Sequence, residues 1–112
     1  MTAEPISFED FQKVDLRVGT IIEVSDFPKA RVPAFQLKID FGDIGIKNSS
    51  AQITSLYDKD SLIGKRIIAV INFKAKQIAN FKSECLVLGI QNGQDVVLLY
   101  PNDKVANGTQ VL

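Results

Sequence analysis

The amino-acid sequence predicts an all-β protein, in which five or six strands form a small barrel and only short helical segments accompany them. Apolar and polar residues alternate over residues 16–24 and again over residues 35–41, as expected of strands with one buried face. Two apolar stretches near the carboxyl end flank Asn92-Gly93, a dipeptide typical of hairpin turns. Strands do not alternate with long helical segments, so the pattern argues against a doubly wound parallel sheet.

The N-terminal part of the chain predicts one short helical turn followed by a long strand. Ser7 and Asp10 have the spacing of a capping box, in which the hydroxyl accepts a backbone N–H and the acid reaches back. The alternation that begins at Leu16 marks the strand. Gly19 lies inside it, and a glycine there indicates either a bulge or a close approach of another part of the chain.

The middle of the chain predicts two more strands and one helix. Residues 35–41 form the second strand, and a turn bracketed by Gly42 and Gly45 leads into the third. Residues 50–57 are the only stretch here whose apolar residues have helix-like spacing, so we expect the helix there.

The C-terminal half predicts the remaining strands. Residues 67–73 are rich in β-branched side chains and predict a strand buried on both faces. Residues 86–90 and 96–99 form the two strands of the Asn92-Gly93 hairpin, and an irregular tail follows from Pro101. One short helix between the third and fourth strands of a small barrel is the arrangement of an OB-fold.

The length and the hydropathy pattern predict a single cytoplasmic domain. A chain of 112 residues corresponds to one domain, which we expect to span residues 1–112. The longest apolar run, residues 67–71, is five residues long, whereas about 20 are needed to span a bilayer, so we expect no membrane insertion. The first residues lack the basic segment and the long apolar core of a secretory signal.

The composition argues against catalysis. The chain has no histidine, which removes the Ser–His and Cys–His nucleophile pairs and the commonest metal ligand. The one cysteine, Cys85, excludes an intrachain disulfide and is expected to be a small buried strand residue. Asp58-Lys59-Asp60 begins like a calcium loop, but Leu62 and Ile63 stand at its ligand and glycine positions. We therefore expect neither an enzyme nor a cofactor or metal site.

Charge is balanced over the whole chain but concentrated locally. There are 13 Lys and Arg residues against 13 Asp and Glu, yet residues 61–83 contain five basic residues and no acid. Amide side chains and two phenylalanines lie among these cations. Cations for phosphates combined with rings for unpaired bases are typical of nucleic-acid binding. The alternative is a solvated loop that joins two strands, and the composition leaves both interpretations open.

Several sequence blocks resemble a known family. Asn72-Phe-Lys-Ala-Lys and the later Lys82-Ser-Glu resemble the tRNA-binding OB domains that are appended to methionyl-tRNA synthetase or occur as separate proteins. The resemblance extends, from about Phe8 to Gly108, to the CsaA-type chaperones of that family. It is carried by Asp15-Leu-Arg-Val-Gly-Thr-Ile, Phe27-Pro-Lys-Ala-Arg-Val-Pro-Ala, Ile39-Asp-Phe-Gly, Ser49-Ser-Ala-Gln-Ile-Thr, Ala69-Val-Ile-Asn-Phe and Ser83-Glu-Cys-Leu-Val-Leu-Gly.

The resemblance implies tRNA as a partner and a tRNA-binding face. The residues that it places on this face are Asn72, Lys74, Lys76, Lys82 and Ser83. Arg17 lies on the polar face of the first strand, where it either reaches the same face or pairs with Asp15 or Glu23. Cys85-Leu86 stands where the synthetase type has Gly-Met, a departure that favours the chaperone branch.

The chaperone branch further implies a homodimer that binds unfolded or export-bound polypeptides. An apolar loop is the candidate polypeptide-binding or dimer surface, through Phe27, Pro28, Val32, Pro33 and Ala34. Apolar residues in both termini also indicate a dimer, because one small barrel does not easily enclose Ile6, Phe8, Phe11, Val105, Val111 and Leu112. The alternative function is a tRNA- or RNA-binding module without a chaperone role. The two functions are compatible, because opposite faces could serve them.

Overall fold

Nine β-strands and two short α-helices form the computed structural model, which describes residues 1–112. In chain order, the elements are α1 (Phe8–Gln12), β1 (Leu16–Asp26), β2 (Phe35–Asp40), β3 (Ile46–Ala51), α2 (Lys59–Leu62), β4 (Arg66–Val70), β5 (Lys76–Ile78), β6 (Phe81–Ser83), β7 (Leu86–Val87), β8 (Gly89–Asn92) and β9 (Asp95–Leu98). The expected all-β fold is confirmed. Neither helix has the length or the apolar character needed to cross a membrane.

A curved antiparallel sheet of five strands, in the order β3-β2-β1-β4-β7, forms the body of the barrel. Its longest strand, β1, pairs with β4 through its first half and with β2 through its second half. A register shift between Ile21 and Glu23 marks an irregularity where β1 passes from one neighbour to the other. Because a bulge bends a strand, one long strand can take part in both walls of the barrel.

Gly19 permits the close packing inside this bend. A Cβ atom at Gly19 would lie 2.7 Å from the Ile39 side chain and 2.7 Å from the Phe41 ring. The prediction of either a bulge or a close approach is therefore resolved as a close approach, and the irregularity lies further along β1. The alternation predicted for residues 35–41 is confirmed, because Leu37, Ile39 and Phe41 are completely buried.

The barrel is nearly closed by hydrogen bonds between the outer edge of β3 and the segment that connects β6 to β7. The Glu84 backbone N–H donates to the Asn48 carbonyl (2.8 Å), and the Asn48 N–H donates to the Glu84 carboxylate (3.0 Å). The Ser50 N–H donates to Ser83 Oγ over 3.2 Å. Side chains thus take the place of a continuous backbone ladder at this seam.

The predicted helix over residues 50–57 is wrong in position. Ser50 and Ala51 belong to β3, where they pair with Gln36 and Phe35 of β2. The helix in this connection is α2, which begins only after Asp58, whose carboxylate accepts the Ser61 N–H over 2.7 Å. Cross-strand pairing outweighs the local helix-like spacing, but a short helix does separate the third and fourth strands as expected.

Both chain termini differ in detail from their predictions. Ser7 caps α1 by accepting the Asp10 N–H over 3.1 Å, but Asp10 binds Lys13 Nζ instead of reaching back. No residue of α1 is buried. The C-terminal tail is irregular, yet it lies along β1, where the Val18 N–H donates to the Thr109 carbonyl over 3.0 Å.

Two further hairpins stand beside the barrel. The predicted hairpin at Asn92-Gly93 is present as β8–β9, with Asn92 paired to Asp95 and Gly93 at a φ of +64°. Its first strand differs from the prediction over residues 86–90, because Leu86 and Val87 form β7 and pair with β4 instead. The second hairpin, β5–β6, lies within the basic residues 61–83, for which the sequence predicted either a solvated loop or a binding face. Its turn includes Ala79 at a φ of +50°, a conformation that is uncommon for residues other than glycine.

Candidate nucleic-acid interface

An open groove lies between the end of β3, the β5–β6 hairpin and the loop that connects β1 to β2. It comprises two adjoining cavities of about 410 and 530 Å³, which share Ser50, Gln52, Lys76 and Ile78. We call it the hairpin groove. Beyond the shared residues, its lining includes Lys29, Arg31 and Val32 at one end and Phe73, Lys74 and Ser83 at the other.

The hairpin is fixed to the rest of the chain near its turn and at its base, which determines where its cations lie. The Phe81 ring packs edge-on against Phe27, with ring centroids 5.5 Å apart. Ser83 Oγ accepts the Ser50 N–H from the edge of β3. At the tip, the Gln77 side-chain amide donates to the Ala79 carbonyl over 3.0 Å and supports the tight turn. The hairpin therefore holds Lys76 at the centre of the groove.

Four exposed cations line the hairpin groove, and none of them has an acidic partner in the chain. They are Lys29, Arg31, Lys74 and Lys76. The three ion pairs of the protein involve other cations, namely Lys13, Arg17 and Lys59. One acid, Glu84, also lines the groove, where its carboxylate accepts the Asn48 N–H. Four cations against one acid around a concave surface create a local positive potential, although the chain as a whole is neutral.

An aromatic ring accompanies these cations. Phe73 follows β4, is 58% exposed and lines the same cavity as Lys74 and Lys76. An exposed ring beside cations can stack on an unpaired base while the cations contact the flanking phosphates. The groove therefore has the two elements that sequence composition indicated.

The structure separates the lysines that the family resemblance placed on one face. Lys74, Lys76 and Ser83 line the hairpin groove. Lys82 is exposed but lines neither cavity, and it projects from the face of the hairpin opposite to Lys76 and Ser83.

Asn72 and Arg17 are both held by contacts within the chain. The Asn72 side chain accepts the Asp15 N–H over 2.9 Å and donates to the Lys13 carbonyl over 2.7 Å. Arg17 Nε donates to the Asp15 carboxylate over 2.7 Å, so the first of its two expected partners is the observed one. A second guanidinium nitrogen donates to the Gly108 carbonyl over 3.0 Å. These two side chains fasten the termini to the barrel.

The predicted polypeptide or dimer surface is only partly a surface. Val32 is 50% exposed and lines the hairpin groove, and Pro28 and Pro33 are exposed outside it. Phe27 and Ala34 are both buried within the chain, although Ala34 lines the 410 Å³ cavity beside Val32. Phe27 is covered by Phe81, a contact that depends on the hairpin and leaves no trace in the local sequence.

Sequence reasoning missed Lys29, Arg31 and Gln52 as groove residues. The two cations belong to the loop whose apolar residues were considered as a binding surface. Their position between Pro28 and Pro33 was a signal that they lie in a loop. Gln52 carries no signal of its own, because its place in the groove depends on where β3 ends.

Cys85 lies behind the groove and is buried, as expected, although in a connection between two strands. Burial raises the pKa of its thiol from 9.0 to about 11, and a hydrogen bond from Ser49 only partly offsets this. The Ser49 hydroxyl also donates to the Cys85 carbonyl over 2.9 Å. The residue is thus a neutral packing group at neutral pH.

Comparison with known proteins identifies a family. The family model of the tRNA binding domain matches residues 16–110. A methionine–tRNA ligase of Pyrococcus horikoshii is 36% identical over 108 residues, which are 96% of this chain but 15% of that protein. The chain thus spans only about a seventh of the length of the curated relatives it matches.

Solved structures of separate proteins are similar over nearly the whole chain. The chaperone CsaA from Bacillus anthracis is 52% identical with a TM-score of 0.91, and the match covers 97% of this chain and all of that chain. The CsaA chaperone protein from Picrophilus torridus is 58% identical with a TM-score of 0.91, and 96% of this chain covers all of it.

Proposed function

The chain belongs to the family of tRNA binding domains, and on that premise we propose that it is a CsaA-type chaperone that binds tRNA through the hairpin groove. The observation that carries the RNA-binding part is the set of four unpaired cations around one groove beside an exposed phenylalanine. The proposed function is binding without a chemical step, and a partnership with tRNA would place it in the cytoplasm.

The physical basis of RNA binding is the release of counterions from phosphates. Each phosphate that a lysine or arginine neutralises releases condensed cations, so affinity falls steeply as salt is added. Lys74 and Lys76 flank the part of the groove that holds Phe73, where a base can stack. Lys82, on the outer face of the hairpin, would contribute through longer-range attraction to the same backbone.

The test compares two double variants that remove the same amount of charge. Lys74→Gln/Lys76→Gln should weaken tRNA binding by about 10-fold or more at moderate salt and reduce the salt slope by about 2, because two phosphate contacts are lost. Lys38→Gln/Lys104→Gln removes two exposed cations that line neither cavity of the groove and should change affinity by far less. Filter binding across a salt series measures both quantities. Equal losses in the two double variants would refute the groove as the RNA site.

A second candidate function is the capture of unfolded or export-bound polypeptide. Both solved structures reported above are described as chaperones. In addition, the hairpin groove is lined by apolar as well as cationic side chains. Val32 is half exposed there, and Ile78 lies between the two cavities. Burying such side chains against a client contributes roughly 25 cal/mol per Å² of apolar surface.

We also propose that the functional form is a homodimer. Helix α1 buries none of its residues, and Ile6 and Phe8 are 69% and 68% exposed. Leu112, at the other end of the chain, is 98% exposed. Phe11, Val105 and Val111 are only half-buried. Apolar surface of this kind is commonly covered by a partner, and a second copy with two-fold symmetry would cover both equivalent sets at once.

A further inference from the structure

The surfaces that sequence analysis assigned to two different ligands meet in one groove. Lys76 and Gln77 of the RNA-associated hairpin line the 410 Å³ cavity together with Arg31 and Val32 of the polypeptide-associated loop. This arrangement favours one shared groove over the opposite faces that the sequence also allows. A ligand that covers Lys76 also covers the approach to Val32.

The groove also contains unpaired main-chain groups just beyond the end of β3. The Ser50 N–H donates to Ser83 Oγ, so this edge of β3 faces the hairpin. Beyond it, neither the backbone N–H nor the carbonyl of Gln52 forms a hydrogen bond within the chain. The main chain of an extended polypeptide can bond to these groups of Gln52, which requires no particular client sequence.

The dimensions of the groove favour a single occupant. The two cavities, of about 410 and 530 Å³, are each of the size that holds one small ligand, and they overlap at Ser50, Gln52, Lys76 and Ile78. A polypeptide bonded to the Gln52 main chain would lie over that residue, and an RNA strand bound by the lysines would lie over Lys76. Both residues belong to the shared part, so the two ligands would overlap in space.

We propose that RNA and unfolded polypeptide compete for the hairpin groove, so that bound tRNA prevents polypeptide capture. This inference rests on the proposed function, because it requires that each ligand binds by itself. The coupling is reciprocal: polypeptide must displace RNA by the same factor by which RNA displaces polypeptide. Added salt weakens the RNA complex far more than the polypeptide complex, and it therefore restores capture in the presence of RNA.

The experiment measures three equilibria by fluorescence anisotropy on the full chain. A labelled, permanently unfolded polypeptide (reduced and carboxymethylated α-lactalbumin) and bulk tRNA are first titrated separately. Polypeptide binding is then measured with tRNA at ten times its own Kd, where competition predicts an apparent Kd about 11-fold higher. A short single-stranded oligoribonucleotide replaces tRNA in a parallel series, because it is too small to block a distant site by its bulk.

Variants separate competition in the groove from other causes. For Lys74→Gln/Lys76→Gln, the same RNA concentration should raise the polypeptide Kd far less than 11-fold relative to that variant's own Kd without RNA, whereas Lys38→Gln/Lys104→Gln should behave like the parent. If both ligands bind alone and a ternary complex forms with an unchanged polypeptide Kd, the inference is wrong while the proposed function stands. If either ligand fails to bind alone, the proposed function fails for that ligand and the inference fails with it.

Discussion

Asn72 occupies a position that the family resemblance assigns to RNA binding, but its side chain forms hydrogen bonds within the chain. Its side chain holds the backbone of Lys13 and Asp15 from two directions, at 2.7 and 2.9 Å. A family motif marks the residue type at this position but does not show which partner the amide uses. Direct contact with RNA through Asn72 remains a prediction, and its remaining donor and acceptor capacity is limited by these two bonds.

Replacing Asn72 should therefore affect stability before it affects binding. Asn72→Ala is expected to lower the free energy of unfolding by about 1–2 kcal/mol, because two hydrogen bonds to the backbone of Lys13 and Asp15 are lost. Urea unfolding followed by circular dichroism measures this. Asn102→Ala is the matched control, since Asn102 is exposed and makes no side-chain hydrogen bond. If Asn72→Ala were as stable as the control, Asn72 would not stabilise the attachment of the N-terminal segment to the barrel.

Cys85 predicts a pH dependence of stability with a definite sign. Burial raises its pKa from 9.0 to about 11, so the folded chain keeps a proton that the unfolded chain releases. The resulting stabilisation is complete below pH 9 and is lost as the pH rises towards 11. The difference in unfolding free energy between the parent and Cys85→Ala should shrink by up to about 3 kcal/mol over that interval. A difference independent of pH would show that the thiol titrates normally.

At the level of elements, the β5–β6 hairpin and the β1–β2 loop act together. Phe81 packs against Phe27 at the start of the loop, and Arg31 and Val32 of the same loop line the groove. The position of each element depends on contacts with other segments of the chain. The hairpin is held by β3 and by the loop, and in return it forms one wall of the site.

The loop yields a prediction about polypeptide capture. Val32→Asp should abolish the suppression of client aggregation, because it places a carboxylate where apolar contact is needed. The fold should tolerate the change, since Val32 is 50% exposed. Ile63→Asp makes the same change at a site that is 53% exposed and lies outside the groove, and it should leave suppression intact. Light scattering of a heat-denatured client compares them after circular dichroism has verified folding. Protection by a folded Val32→Asp protein would place polypeptide binding elsewhere.

At the level of the whole molecule, the exposed apolar termini predict the oligomeric state. Sedimentation at micromolar concentration should give about twice the chain mass of 12.3 kDa. Phe8→Ser should shift the population towards monomer, because it removes a ring that is 68% exposed on a helix without buried residues. Phe73→Ser, which alters a ring 58% exposed in the groove, should leave the dimer intact. A parent protein that sediments as a monomer would rule out the dimer.

Much of the architecture was predictable because its signals are local. Alternation over residues 35–41 identified the face that Leu37 and Ile39 bury, since side chains of a strand alternate between its faces. Gly93 marked a hairpin because a tight turn needs a residue that accepts a positive φ. The helix expected over residues 50–57 failed because pairing with β2 extends β3 through Ala51, and a partner strand is not visible in a local pattern.

The sequence by itself determined the fold class, the family and the basic character of the hairpin, because each depends on residue types and their spacing. Only the tertiary structure decided which side chains remain free. In the structure, Asn72 and Arg17 form hydrogen bonds within the chain and Phe27 is buried. Lys74 and Lys76 form no ion pair. The tertiary structure also brought the Lys29–Val32 loop and the hairpin to one groove, because closure of the barrel joins segments that are distant along the chain. Contacts between distant segments are set by the packing of the whole molecule, and no local pattern records them.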